Sequence, residues 1–367
     1  MKWLLKIIDA ARPTFEEGGK LQILNPVFGA LEHFFFAPAT RTIGAPHIRD
    51  PLDLKRVMSM VIIAVIPCVL AALYFFGLRF IAMIIVTYAA GLTVEAIFAM
   101  VRKEGINEGF FVTGFLFPLI LPPNLPLWMV ALGVAFGVFI GKELFGGTGR
   151  NVFNPALVGR CFLSLAYPKT MAASWVEPSH ELTGSLLTWV SPSLDAVSGA
   201  TPLALAKQGE MGSIAHQLLG SVSGSAGETS AILIILGGVF LLFTRVANWR
   251  TVVSMLGSFA ILTGALIVGG AVAYPMPGVF GPVIWHLFAG GLLFGAFYMA
   301  TDPVTSPTTN TGKWFYGIII GSTTVLIRNF TGYVEGVTFA ILLGNIVAPI
   351  FDEIVIGIRI RRLRNEG

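Results

Sequence analysis

Apolar runs of near membrane-spanning length recur from Val57 to the C-terminus, separated by short polar joints. A helix rises about 1.5 Å per residue, so about 20 apolar residues cross a hydrocarbon core. Val57–Phe76 carries no charge and Phe80–Val101 is interrupted only by Glu95, with Gly77-Leu78-Arg79 between them as a tight hairpin. Eight further segments follow: Phe110–Leu121, Leu127–Gly141, Phe153–Tyr167, Thr229–Thr244, Val252–Ala273, Ile284–Ala300, Trp314–Ile327 and Gly336–Ile358. The pattern predicts an all-α polytopic membrane protein of about ten transmembrane helices. Phe110–Leu121 has 12 residues and Phe153–Tyr167 has 15, too few to cross alone. Irregular backbone at membrane depth survives only where protein or water satisfies it, so short or broken helices point to a site. Ten spans divide into two halves of five, and halves of odd span number face the membrane in opposite directions, as in transporters built from inverted repeats. The expected organisation is a cytoplasmic arm over 1–56, a first five-helix repeat over 57–167, an outer loop over 168–228, a second repeat over 229–358 and a basic tail over 359–367.

Composition and charge sharpen this picture. Of 367 residues 55% are hydrophobic and 12% charged, against about 25% charged in soluble domains, which excludes an ordinary soluble enzyme. The net charge of +4 reads as orientation and calls for no nucleic-acid partner. With both termini cytoplasmic, 20 of the 24 basic residues fall inside, Arg160 among them; only Arg79, Lys169, Lys207 and Arg328 fall outside. Trp128, Trp285 and Trp314 fit an interfacial belt. The two cysteines are too few for an iron–sulfur cluster, and the five histidines show no metal spacing. No strand followed by GxGxxG is present, so NADH is expected to bind another chain.

An acid within a span is a functional hypothesis by default, and Glu95 is the clearest. Asp302, Glu335 and Asp352 lie at ends of later spans, and Glu108, Glu143 and Glu228 at the edges of others, where acids also serve as helix caps; sodium, a hard cation, prefers such oxygens. Pro168–Glu228 is a loop of 61 residues with seven charges, long enough to be functional or disordered. It contains Asp195-Ala196-Val197-Ser198-Gly199-Ala200-Thr201-Pro202-Leu203, which by pattern alone also suits an ordinary turn. Likewise Gly146-Gly147-Thr148-Gly149 reads as a turn and Asn154-Pro155 as a helix start.

Several strings together carry a resemblance. The Asp195–Thr201 stretch is similar to the D-x-x-S/T-G-A-T signature on which flavin transferases esterify FMN. His47-Ile48-Arg49-Asp50-Pro51-Leu52, Asn107-Glu108-Gly109-Phe110-Phe111, Gly146–Leu157 and Ala300-Thr301-Asp302-Pro303-Val304 accompany it. Over nearly its whole length the chain resembles the family of B subunits of sodium-translocating NADH:quinone oxidoreductases. The resemblance implies FMN esterified to Thr201, with Asp195, Ser198, Gly199 and Ala200 shaping the approach of the transferase. It implies riboflavin held without a covalent link by Asn151 and Asn154. It places Glu95, with Gly91 nearby, in the quinone region, the substrate being ubiquinone or menaquinone, and Asp302, Asp352 and Glu335 on a sodium pathway. Electrons would enter at the outer FMN, pass to riboflavin and leave to quinone, coupled to sodium export. The partners implied are the other subunits of a six-subunit complex in the bacterial inner (cytoplasmic) membrane, and a flavin transferase for maturation. Two alternatives stay open: the D subunit of the related Rnf complex, serving ferredoxin and NAD, and a small-solute channel or transporter with inverted repeats.

Overall fold

In the computed structural model the described residues are 54–103, 109–178, 189, 201–220, 222–228, 230–333 and 335–366, with a few isolated positions before residue 29. Each of the ten apolar segments is helical. We number the helices α1 (Leu54–Phe76), α2 (Leu78–Arg102), α3 (Gly109–Leu119), α4 (Leu127–Gly141), α5 (Pro155–Ala166), α6 (Pro168–Ala173), α7 (Pro202–Lys207), α8 (Ile214–Leu219), α9 (Ala231–Phe243), α10 (Trp249–Val268), α11 (Phe280–Phe288), α12 (Leu292–Met299), α13 (Asn310–Phe330) and α14 (Val337–Glu366). No strand occurs among the described residues.

Five helices (α1, α2, α4, α10 and α14) are long and apolar enough to cross a membrane, and a sixth span is available if α11 and α12, bent by 66°, count as one. The ten expected spans are therefore unequal. Helices α3, α5 and α9 have only 11, 12 and 13 residues, and α13 is long but carries polar residues at both ends. The segment expected as one span over Ile284–Ala300 is broken at Ala289–Gly291, where Gly290 takes a φ of 65°. A side chain at that angle is strained, whereas glycine adopts it freely.

The broken ends expose carbonyls that lipid cannot satisfy, and two arginines cover them. Arg79 donates through Nε to the Pro123 carbonyl at 3.2 Å and through Nη2 to Asn124 and Leu125 at 3.1 and 3.0 Å. Arg328 donates to the carbonyls of His286 at 2.9 Å and Ala289 at 3.0 Å. Both are only 4% exposed, so two of the four basic residues counted outside serve the fold. The end of α3 is completed by the loop before α9, whose Gly227 and Ala226 amides donate to Leu119 and Leu121.

Helix pairing recurs in the two halves: α1 packs on α3, α2 on α4 and α4 on α5, while α9 packs on α12, α10 on α13 and α13 on α14. Between the halves, α1 packs against α9. The backbone of Ala64 crosses Gly237, where a Cβ would overlap it, and Val57 and Met58 share a cavity with Leu241, Val246 and Ala247. Tyr298 of α12 sits at this crossing, its hydroxyl 3.2 Å from the Ala64 carbonyl and 3.1 Å from that of Ile234. Small residues let backbones approach this closely, which is how helices associate when lipid is as apolar as the interface.

Two expectations are corrected. Trp285 is fully buried, and its indole N–H donates to the Gly212 carbonyl at 2.8 Å, so it anchors the outer loop to α11 and belongs to no interfacial belt. Trp128 and Trp314 are partly exposed. Arg160, counted among the inner-face cations, lies within α5 and is buried against two acids; nineteen basic residues then remain on the inner side of the tally.

Candidate functional site

Two cavities with charged and amide side chains in mainly apolar walls stand at opposite ends of the helices. The larger, about 550 Å³, is walled by Arg160, Trp175, Thr201, Tyr333, Glu335 and Phe339 among others. Thr201 opens onto it as the N-cap of α7. Its backbone is extended and Pro202 follows at the first helical position, where the missing N–H costs nothing. Its hydroxyl oxygen accepts from the Ala204 amide at 3.3 Å, a long bond. Helix α7 is held in place by Lys207, whose ammonium donates to the carbonyls of Thr331 and Tyr333 at 2.8 and 2.9 Å. Partial burial holds that ammonium below the usual lysine range. Arg160 ion-pairs closely with Glu335 and lies 3.6 Å from Glu228, whose two oxygens have no hydrogen-bond partner.

The second cavity, about 80 Å³, is lined by Lys142, Thr148, Asn151, Asn154 and Asp302 within walls from α1, α3 and α9. The glycine-rich turn before it takes left-handed backbone at Gly146, Gly147 and Gly149, with φ of 109°, 93° and 87°. Asn154 caps α5: its Oδ1 accepts from Ala156 at 3.0 Å and Leu157 at 3.4 Å, while its Nδ2 meets only the Met299 sulfur, a weak acceptor, at 3.7 Å. The Asn151 amide donates to the Phe153 carbonyl at 3.0 Å. Beside the cavity, Lys142 donates to Glu95 at 2.5 Å and Arg102 to Glu143 at 2.7 Å. Gly91, one helical turn before Glu95, lies against the Phe110 ring so closely that a Cβ there would overlap it.

The structure thus brings Asn151, Asn154 and Asp302 together, joins Glu95 to them through Lys142, and groups Thr201 with Glu335 at the other end. Asp195, Ser198, Gly199 and Ala200 lie outside the described residues. Asp352 stands apart: its oxygens accept from the amides of Thr308 and Thr309 at 2.7 and 2.9 Å and from their hydroxyls at 2.8 and 2.5 Å, at the start of α13. Asp302 accepts only two bonds, from the Val304 amide and the Thr305 hydroxyl, both 3.2 Å. Among the described residues no three His, Cys, Asp or Glu side chains cluster as a metal site. Replacing Asp352 by Ala is expected to lower stability by about 1–2 kcal/mol, the usual cost of losing a cap, read as a lower thermal midpoint in detergent; an unchanged midpoint would show that Thr308 and Thr309 hold α13 without it.

Lys142 and Arg160 are not singled out by sequence reasoning, and Glu228 only as one of several acids at span edges. For Arg160 a signal exists, since it is a lone cation inside the short apolar run Phe153–Tyr167. For Lys142 and Glu228, at segment edges, the pairing partners are remote in sequence and nothing local identifies them.

The chain matches the model of the NQR2, RnfD, RnfE family over residues 41–360. It is 38% identical to the B subunit of the Na(+)-translocating NADH-quinone reductase of Klebsiella pneumoniae (strain 342), covering 99% of this chain and all of the relative. The proteins of the same name from Azotobacter vinelandii and Pseudomonas aeruginosa (strain LESB58) are 37% and 36% identical, the first over 97% of both chains, the second over 99% of this chain and 100% of the relative.

Proposed function

Because the chain belongs to the NQR2, RnfD, RnfE family, we propose that it is the B-type membrane component of a Na+-translocating NADH:quinone reductase, a translocase. It carries FMN on Thr201 and serves a quinone on the inner side. The observation that supports the flavin most directly is the position of Thr201, the one hydroxyl of the Asp195–Thr201 string among the described residues, on a cavity of about 550 Å³ with Trp175, Tyr333 and Phe339 in its walls. That volume lies within the range of about 300–1,000 Å³ for ligand sites, and the aromatic walls suit a flat ring system. Bound flavin supplies a carrier that exchanges one or two electrons; the chain's part is position and electrostatics. At Thr201 the hydroxyl oxygen would form an ester bond to the flavin phosphate and give up its proton, while the phosphoanhydride bond of the transferase's donor, a flavin dinucleotide, breaks and its nucleoside monophosphate leaves.

At the inner cavity the amides of Asn151 and Asn154 are of the kind a ribityl chain takes. The space of about 80 Å³ does not fit an isoalloxazine ring as the walls stand, so riboflavin there rests on the resemblance alone. Of the three acids on the expected sodium pathway, Asp302 has the most unused acceptor capacity, since Glu335 is paired with Arg160 and Asp352 caps α13. Glu95, in its pair with Lys142, borders the quinone region.

The membrane placement is the bacterial cytoplasmic membrane with both termini inside. The sidedness is supported by the distribution of basic residues, and the ten-span alternation behind it by segments assigned to one side that meet in space. Arg102 reaches Glu143 and Thr309 reaches Asp352 at one end, while Arg79 reaches Pro123 and Lys207 reaches Thr331 at the other. The names of the relatives favour this reading over the Rnf D subunit. Mass spectrometry of the peptide spanning Asp195–Thr201 from the purified complex tests it: the peptide is expected to carry the added mass of FMN. An unmodified peptide from an active complex would overturn the flavin assignment.

A further inference from the structure

Arg160 is the single cation lining the outer cavity among the described residues, and its surroundings are unusual for a residue in a short apolar helix. Glu228 lies 3.6 Å away with a side chain 3% exposed; Glu335, in closer contact, is 15% exposed. Glu228 is fixed by the fold, because its neighbours Ala226 and Gly227 complete the backbone of α3 and its carboxylate packs against Gly291 at the helix break. Glu335 precedes Gly336 at the start of α14 and lines the cavity together with Gly332 and Tyr333. The two carboxylates therefore differ: one is held, and the other has a way out.

We propose that Arg160 binds the phosphate of the flavin on Thr201 and that Glu335 is the partner it releases when that phosphate arrives. The inference rests on the flavin reading above. A guanidinium is the side chain best shaped for two parallel bonds to phosphate oxygens. Arg160 already faces two carboxylates, Glu228 and Glu335; the phosphodiester would be a third anion on one guanidinium in a partly dry site, and that excess of negative charge is repulsive. The more exposed acid, Glu335, gives way toward solvent, while Glu228 stays and keeps Arg160 from being a bare buried cation. The other basic residues near α7 do not compete: Lys207 and Arg328 line a separate cavity of about 190 Å³ on its other side. Arg328 is committed to the carbonyls at the break.

The test uses the full chain, coexpressed with its partner subunits and a flavin transferase, and compares wild type with Thr201→Asn, Arg160→Gln and Arg160→Lys. Carboxyl footprinting with a carbodiimide and an amine is read by mass spectrometry. Labelling of Glu335 is expected to be severalfold higher in the flavin-bearing wild type than in Thr201→Asn, with Glu228 protected in both. Equal protection of Glu335 would overturn the exchange. The initial rate at which Thr201 gains FMN after the transferase is induced is expected to fall about tenfold in Arg160→Gln, the scale of a lost hydrogen bond to a charged group, and to recover in part in Arg160→Lys. A wild-type rate of attachment in Arg160→Gln would overturn the assignment of Arg160 while leaving the flavin reading intact. If Arg160→Gln does not accumulate, the footprint of Glu335 decides alone. A wild-type complex without FMN on Thr201 would overturn the flavin reading itself, and this inference with it.

Discussion

Thr201→Asn is expected to abolish covalent flavin, seen as loss of in-gel fluorescence of this chain, and to bring NADH:quinone reduction by the complex to background. The hydroxyl has two tasks, and the choice of variant separates them. Thr201 caps α7 through the Ala204 amide, and under the proposed function it also offers the oxygen to which the phosphate is joined. Alanine removes both, at a cap cost of about 1 kcal/mol, so a defect in Thr201→Ala alone would not distinguish a missing flavin from a loosened α7. Asparagine is among the best caps but offers no hydroxyl. It is expected to keep the thermal midpoint of the complex near wild type while the flavin is lost. Serine has both the cap and the nucleophile and is expected to retain fluorescence and activity. Fluorescence persisting in Thr201→Asn would place the flavin elsewhere. A midpoint that falls equally in Thr201→Asn and Thr201→Ala would show that the fold responds to the missing flavin itself.

The contrast between these residues shows what can be read in advance. The long spans and the tight α1–α2 hairpin are legible because uninterrupted apolar length has one physical meaning in lipid. The breaks are legible where proline marks them, as at Pro122-Pro123 and Pro126, and less so at Ala289–Gly291, where glycines inside an apolar run are equally compatible with close helix packing. Which helices touch is not legible. Lipid-facing and protein-facing surfaces are both apolar here, so Ile85 and Ile261, exposed, look no different in sequence from Met83 and Phe259, buried. Trp285 is misplaced by its sequence context for that reason: an indole at a segment end suits the interface or a loop anchor, and only the Gly212 carbonyl settles which. Arg160 is misplaced because a charge count treats every cation as solvated. Thr201, by contrast, is found from a local string, and the cavity it faces is not, since Arg160, Tyr333 and Phe339 come from separate stretches of chain that only the fold brings together.

Breaking the Glu95–Lys142 pair is expected to have the second large effect. Both side chains are 5% exposed, 2.5 Å apart, and joined across 47 residues of sequence. Desolvating two ions is costly and their attraction offsets this only when both are present, so removing one partner typically destabilises by about 3–5 kcal/mol. Lys142→Met leaves Glu95 alone, and Glu95→Leu leaves an ammonium facing the inner cavity; each is expected to lower the thermal midpoint of the complex strongly. The double variant Glu95→Leu with Lys142→Met replaces a buried pair by apolar side chains, which is often neutral or better for stability, so the midpoint is expected to return. Activity should not return with it. Glu95 Oε2 is buried without a hydrogen-bond partner, an arrangement of little use to packing and one that leaves an acceptor for the hydroxyl of a quinone as it is reduced. If Glu95 serves quinone, the double variant folds, retains flavin on Thr201 and reduces quinone poorly, with an altered apparent quinone affinity. A double variant that recovers both stability and quinone reduction would reduce the pair to a structural clamp between α2 and the end of α4.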